Sequence, residues 1–366
     1  MKNSKSKFNR VAIKIGSNVI TQSDGSLNTG RMLRLVEEIA ILYKQGIEVI
    51  LISSGAVAAG KNSVIPSKKT GIISARQIWA AIGQVKLMSN YQFLFGKYGI
   101  QAGQLLATKE GVSDRIHYLN MKNCISAMLD NKVLPIVNEN DTISITELMF
   151  TDNDELSGMI SSMMDCGTLI ILSNVDGIYT GTPGTTGSEL IREIESNYEE
   201  LDKYIMTTLS GYGKGGMLTK CSIAREIASE GIHVYIANGL RDSIINDIIR
   251  EKDVSCTHFS PSSGRKNGVK KWLSHSDTFA KGIVYVNKGA GEALKGEKAT
   301  SLLMIGVVRI EGFFKKGDII RIFDEKGRQI GLGKSQYDSR KAEQCLGEKM
   351  KKPLIHYDYM LISDKS

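Results

Sequence analysis

Apolar and polar positions follow two rhythms along the first two-thirds of the chain. Short apolar runs stand at 11–15 (VAIKI, broken only by Lys14), 47–53 (IEVILIS), 100–108, 133–138 (VLPIVN), 168–173 (TLIILS) and 233–237 (HVYIA). Runs of this length, rich in Val and Ile, predict strands covered on both faces. Between them, helical spacing recurs at 31–45, 75–95, 115–131, 155–166, 216–230 and 241–251, and Gly46 stops the first helix. The alternation predicts an α/β fold, an open and mostly parallel sheet sandwiched by helices, over about 255 residues. Ligands of such folds sit beyond the carboxyl ends of strands. The polar or glycine-rich clusters GSN, SSGA, NEND and SNVDG each follow a predicted strand.

The rhythm changes after about residue 256. Residues 257–275 are polar, basic and turn-rich, and predict a linker. From 280 onward the runs KGIVYVN, SLLMIGVVRI, DIIRIFD and QIGLGKSQY are short and separated by turn residues. They predict a small β-rich domain of about 80 residues. The expected boundaries are 8–256 for the first domain, 257–277 for the linker and 278–362 for the second domain.

Composition adds little to this picture and excludes some classes. The chain has 366 residues, 42% apolar and 23% charged, as in a soluble globular protein. No apolar run reaches the roughly 18 residues that span a bilayer. The basic start MKNSKSKFNR is followed by too short an apolar run for a signal peptide, so the expected location is cytoplasmic. The cysteines at 124, 166, 221, 256 and 345 form no C-x-x-C pair, and the five histidines have no metal-ligand spacing. No protein-held metal is expected. His233 opens a strand and is read as structural. The net charge of +8 leans toward the C-terminal third, through 265–271 (RKNGVKK) and 315–351. Such a balance suits nucleic acid or anionic substrates, or serves solubility alone.

The candidate chemistry lies in the clusters. GYGKGGMLTK at 211–220 packs four glycines and two lysines into ten residues, which suits backbone lying against an anion. Gly211, Gly213 and Gly216 satisfy G-x-G-x-x-G, but no strand precedes them as a dinucleotide fingerprint requires. The P-loop ending Gly-Lys-Ser/Thr is missing too. A flexible surface loop is the plain alternative. Lys14, inside an apolar strand, needs a partner at the strand end or an edge position in water. Gly16 and Ser17 are read as offering backbone N–H groups to an anion. SSGA at 53–56 supplies a hydroxyl and helix-end N–H groups, or an ordinary helix cap. NEND at 138–141 and TDNDE at 151–155 suggest a hairpin that presents polar groups to a site.

In order, VAIKIGSN, ISSGAVAAGK, PIVNENDT, FTDNDELSG, LSNVDGIYT and GKGGMLTK resemble the amino acid kinase family. More closely, they are similar to its glutamate 5-kinase branch, and the C-terminal segment resembles a PUA domain. The likeness runs from about Val11 to Met360. It implies ATP-dependent phosphorylation of the L-glutamate γ-carboxylate, the first step of proline biosynthesis, with Mg²⁺ on the ATP phosphates. By resemblance Lys14, Asp154 and Lys220 are catalytic, Asp154 orienting the two lysines. Ser54, Asp141 and Asn153 match glutamate-binding positions, Asp141 facing the substrate ammonium. Lys14, Ser173, Asn174, Lys214, Gly215, Gly216, Met217, Leu218, Thr219 and Lys220 match nucleotide-binding positions. Three of these depart from the family, which commonly has Thr-Asp at Ser173-Asn174 and often Thr at Lys214. The resemblance further implies inhibition by proline, a dimer or tetramer, and handover of a labile acyl phosphate to glutamyl phosphate reductase. Two alternatives remain open: a kinase for another carboxylate, and an RNA-binding protein acting through the basic PUA-like domain. Against the latter, the tail shows no obvious aromatic stacking platform.

Overall fold

A computed structural model describes residues 7–143, 153–195, 216–262, 272–273, 277, 280–296, 300–350 and 352–362. The chain divides into two units, Met1–Arg265 and Lys266–Ser366.

The first unit is built on an eight-stranded sheet. Its strands are β1 (Arg10–Ile15), β2 (Glu48–Ser53), β3 (Gln101–Ala107), β4 (Val133–Glu139) and β5 (Thr168–Ser173). After the small hairpin of β6 (Ile178–Tyr179) and β7 (Leu190–Ile191) come β8 (Glu193–Glu195), β9 (His233–Asn238) and β10 (Cys256–Ser260). The order across the sheet is β3-β4-β2-β1-β5-β9-β10-β8. From β3 to β9 every neighbouring pair is parallel. β10 runs antiparallel to β9, and β8 runs parallel to β10, so one edge is mixed. On the central strand β1, Val11, Ala12, Ile13 and Ile15 are fully buried. That burial is the main source of the sheet's stability.

The predicted helices lie where the apolar spacing placed them, at Thr29–Lys44, Ile72–Gly96, Arg115–Asp130, Asn153–Met163 and Gly216–Ser229. Asn28 caps the first by accepting from the Arg31 N–H at 3.0 Å. The helix expected over 241–251 is shorter, Ile244–Ile249. The residues before it are held in a turn instead. Leu240 N–H donates to Asn238 Oδ1 at 3.0 Å, and Arg241 pairs with Asp176.

Residues 257–260, expected in the linker, are strand β10 of the first sheet. Thr257 Oγ1 accepts from the Ile178 N–H and donates to Ile191 O, tying this strand to both arms of the hairpin.

The second unit is a five-stranded sheet of β11 (Gly282–Val286), β12 (Val307–Glu311), β13 (Ile319–Phe323), β14 (Gln329–Ser335) and β15 (Ile355–Ile362). Their order is β12-β11-β13-β14-β15. Its own core gathers Val284, Val286, Ile320, Ile322, Ile330 and Ile355. Two short helices, Lys288–Lys295 and Ser339–Gln344, stand among the strands. Each is capped by the side chain before it, Asn287 and Asp338.

Candidate active site

The carboxyl ends of β1, β2 and β4 converge on the start of the helix Asn153–Met163. Lys14 sits on the central strand, flanked in register by Ile52 and Ile171. It is 2% exposed, which excludes an edge position in water. Its Nζ lies 2.6 Å from Asp154 Oδ1. The other Asp154 oxygen lies 2.8 Å from Lys220 Nζ. Asp154 is fully buried in the first turn of its helix, where the helix dipole favours an anion. One carboxylate therefore holds two ammonium groups on one site, and residues 206 positions apart in sequence meet there.

Beside this trio lies a chain of amides and hydroxyls. Asn153 Nδ2 is within hydrogen-bond distance of Ser53 O (3.0 Å), Ser54 Oγ (2.9 Å) and Asn138 Oδ1 (3.0 Å). Asn138 Nδ2 in turn donates to Gln84 Oε1 at 2.7 Å. The chain ends in two buried atoms, Asn153 Oδ1 and Gln84 Nε2, with no hydrogen-bond partner among the described residues. Buried polar groups are normally satisfied. An acceptor and a donor left over at one site suit a polar ligand.

The loop before this site is shaped by close packing. Gly55 takes a left-handed φ of 95° to turn the chain from β2 into the helix Ala56–Lys61. That helix lies backbone to backbone on Ile72–Gly96. A Cβ on Gly83 would stand 1.7 Å from Ala56 O, and one on Gly60 1.8 Å from Trp79 O. Ser53 Oγ and Tyr91 OH, both buried, lie 2.9 Å apart, and burial pushes the Tyr91 phenol well above its ordinary range.

Asp141 follows β4 and pairs with Arg76 Nη2 at 3.2 Å. Burial raises its carboxyl above the usual range, and Arg76 works against that rise. Gln77 Nε2 donates to Thr142 O at 2.8 Å, so the same helix holds the chain just past Asp141. The remainder of the expected hairpin, residues 144–152, lies outside the described residues.

The expected anion contact at Gly16 is corrected. Its N–H donates to Leu172 O at 3.0 Å and is spent on joining β1 to β5. Ser173 and Asn174 stand at the end of β5, Ser173 opposite Asn238 of β9, and Ser173 O accepts from Gly239 N–H. Gly216 opens the helix that carries Met217, Leu218, Thr219 and Lys220. Lys214 and Gly215 lie outside the described residues. Among the described residues, no three His, Cys, Asp or Glu side chains gather to hold a metal, and no helix is long and apolar enough to cross a membrane.

Sequence reasoning missed Asn138 as a contact of Asn153, and missed Arg76, Gln77 and Gln84 altogether. NEND signalled the first. The helix residues had no signal, because polar positions on an amphipathic helix ordinarily face solvent. On β15, His356 lies 4.4 Å from Tyr357 and 6.5 Å from Tyr359, centroid to centroid. Lys334 Nζ is 5.9 Å from the Tyr359 ring centre.

Residues 9–238 match the Amino acid kinase family and residues 282–357 match the PUA domain. The chain is 53% identical over 359 residues to a protein of Bacteroides thetaiotaomicron named glutamate 5-kinase, covering 98% of this chain and 99% of the relative. A glutamate 5-kinase of Chlorobaculum tepidum is 43% identical over 356 residues, covering 97% and 98%. One of Trichlorobacter lovleyi is 35% identical over 369 residues, covering 98% and 97%. With its paired lysines on one buried aspartate and its parallel sheet, the chain belongs to the amino acid kinase family, and it carries a C-terminal PUA domain.

Proposed function

We propose that this kinase transfers the γ-phosphoryl group of ATP to the γ-carboxylate of L-glutamate, giving L-glutamyl 5-phosphate and ADP in the first step of proline biosynthesis. The observation that carries the reading is the Lys14–Asp154–Lys220 trio at the sheet's carboxyl edge. The names of the relatives supply the substrate.

A carboxylate is already a nucleophile at neutral pH, so the reaction needs no general base. One γ-carboxylate oxygen attacks the γ-phosphorus as the bond to the β,γ-bridging oxygen breaks, and that oxygen leaves with ADP. The obstacle is charge: two anions must meet, and charge spreads over the moving phosphoryl group. Lys14 and Lys220 are assigned to neutralise it. Asp154 keeps the two ammonium groups on one side of the transfer. The helix start from Gly216 to Lys220, together with Ser173, Asn174, Lys214 and Gly215, is assigned to the nucleotide, whose phosphates suit helix N–H groups. Mg²⁺ would ride on those phosphates, where it supplies further charge neutralisation. Ser54 and Asn153 are assigned to the substrate's carboxylates, and Asp141 to its ammonium.

The test is hydroxylamine trapping of the acyl phosphate with Mg-ATP and L-glutamate, L-aspartate or N-acetylglutamate in parallel. Hydroxamate with L-glutamate alone supports the reading. Hydroxamate with another acid moves the substrate within the family.

The same reading takes proline as a feedback inhibitor overlapping the glutamate pocket, glutamyl phosphate reductase as the consumer of the product, a homo-oligomer and a cytoplasmic location. Competition of proline with glutamate in steady-state kinetics supports the inhibition, and no effect at millimolar proline overturns it. The aromatic group of His356, Tyr357 and Tyr359 beside Lys334 favours a second reading, in which the PUA domain binds RNA. A gel shift lost on raising salt supports that reading, and no shift at low salt removes it.

A further inference from the structure

We infer that Arg76 reads the α-carboxylate of the amino acid substrate, and that Arg76 and Asp141 together form a clamp for a zwitterion. The inference rests on the proposed L-glutamate kinase reaction. Asp141 is 13% exposed at its side chain and, among the described residues, pairs with Arg76 Nη2 at 3.2 Å. Arg76 is half exposed, so its long side chain is free to turn. An α-amino acid carries its ammonium and carboxylate on one carbon, a cation and an anion about as far apart as the ion pair itself. When the substrate ammonium takes Asp141, the displaced guanidinium stands beside the α-carboxylate, whose two oxygens match its planar fork. Gln77 holds Thr142 O at 2.8 Å, which keeps Asp141 next to Arg76 through the exchange. The γ-carboxylate at the other end is left for Ser54, Asn153 and the lysines. Arg76 is thus a specificity residue that selects acids carrying an α-carboxylate.

The experiment compares L-glutamate with L-glutamate α-amide, which keeps the γ-carboxylate and the ammonium but carries no charge on the α-carbon's acyl group. Hydroxamate formation is measured for the wild type, Arg76→Gln and Arg76→Lys. The wild type is expected to show a KM for the α-amide at least about tenfold above that for L-glutamate. Arg76→Gln should raise the KM for L-glutamate by about tenfold, leave kcat within about twofold, and leave the KM for the α-amide unchanged. Arg76→Lys should restore part of the discrimination, because the charge stays and the fork is lost. Equal rises for both substrates would show that Arg76 only steadies Asp141, and would overturn the inference. So would a wild type indifferent to the amide. A wild type that makes no hydroxamate from L-glutamate overturns the proposed reaction and this inference with it.

Discussion

Asp154 is the residue on which the site turns, because it is fully buried and holds Lys14 at 2.6 Å and Lys220 at 2.8 Å. In the proposed reaction each lysine stands where charge develops, so truncating either should lower kcat by the factor seen when an oxyanion donor is removed. Lys14→Ala and Lys220→Ala should each lose on the order of 10²–10³ in kcat, about 2.7–4 kcal/mol of barrier. The KM for L-glutamate should change less than kcat, since Ser54, Asn153, Asp141 and Arg76, the other groups proposed for the substrate, are untouched. Asp154→Ala is expected to act differently. It leaves two ammonium groups facing each other out of water, so it should cost about 3–5 kcal/mol of stability as well as activity. Hydroxamate kinetics and thermal melts on the three variants check both halves, and a melting point for Asp154→Ala equal to wild type would contradict the second. At this scale the sequence was partly legible. A lysine inside VAIKI demands a partner, and two Asn/Asp clusters ten residues apart demand a site. Arg76 and Gln84 were not legible, because nothing in a helical pattern separates a polar residue that faces a pocket from one that faces water.

Lys220 reaches Asp154 because two helices lie side by side in the same direction. Asn153–Met163 and Gly216–Ser229 meet near their starts through that ion pair. They meet again at their ends, where Ser162 Oγ donates to the buried Glu230 carboxylate. Between these contacts Gly158 allows close approach. A Cβ there would stand 2.8 Å from Ile223 Cγ2 and 3.1 Å from Ile227 Cγ1. Because Ile223 is β-branched, the crowded atom cannot swing aside without a rotamer change. Gly158→Ala should therefore push the helices apart by a few tenths of an ångström and lower kcat about tenfold, given that about 1 Å of misplacement costs about 10². Ile223→Ala added to Gly158→Ala should restore most of that rate by removing the obstructing atom. A double variant no faster than the single one would show that the distance between these helices does not set the rate. The long helices and buried strands were legible because their periodicity runs over many residues. β8 and β10 were not, since Glu193, Glu195, His258 and Ser260 make them look like turn or linker. The helix Lys288–Lys295 was hidden by two glycines in KGAGEALK, and it owes its start to the Asn287 cap.

At the scale of the whole molecule, two units each close their own core, and the alternation of strand and helix that ends near residue 256 foretold both. It did not foretell how the first sheet ends. β10 turns back against β9 and brings His258 beside His233, with Nδ1 of His233 3.0 Å from Nε2 of His258. His258 Nδ1 lies 3.1 Å from Glu193 Oε2 on β8. One assignment of protons satisfies both contacts: His233 Nδ1–H donates to His258 Nε2, and His258 Nδ1–H donates to Glu193. Both imidazoles are then neutral, and a proton added to His258 would collide with the one on His233. Burial, followed by the neighbouring His258 and Lys7, pulls His233 down to about 4, and burial lowers His258 too. The unfolded chain titrates near 6.5, so between about 6.5 and 4 it binds protons that the folded chain refuses. Stability from this pair is therefore complete above pH 6.5 and falls as the pH drops toward 4. Because His233 is only partly buried, about half of the full shift is a fair measure, a loss on the order of 1–2 kcal/mol by pH 4. The carboxyl of Glu38, raised by burial, works the other way over part of this range, so the pair must be read by difference. Denaturant unfolding of wild type and His233→Gln at pH 7.5 and 5.0 measures that difference. Wild type should lose more stability than the variant on acidification, and parallel losses in the two proteins would show that the histidine pair does not govern the acid side of the stability curve.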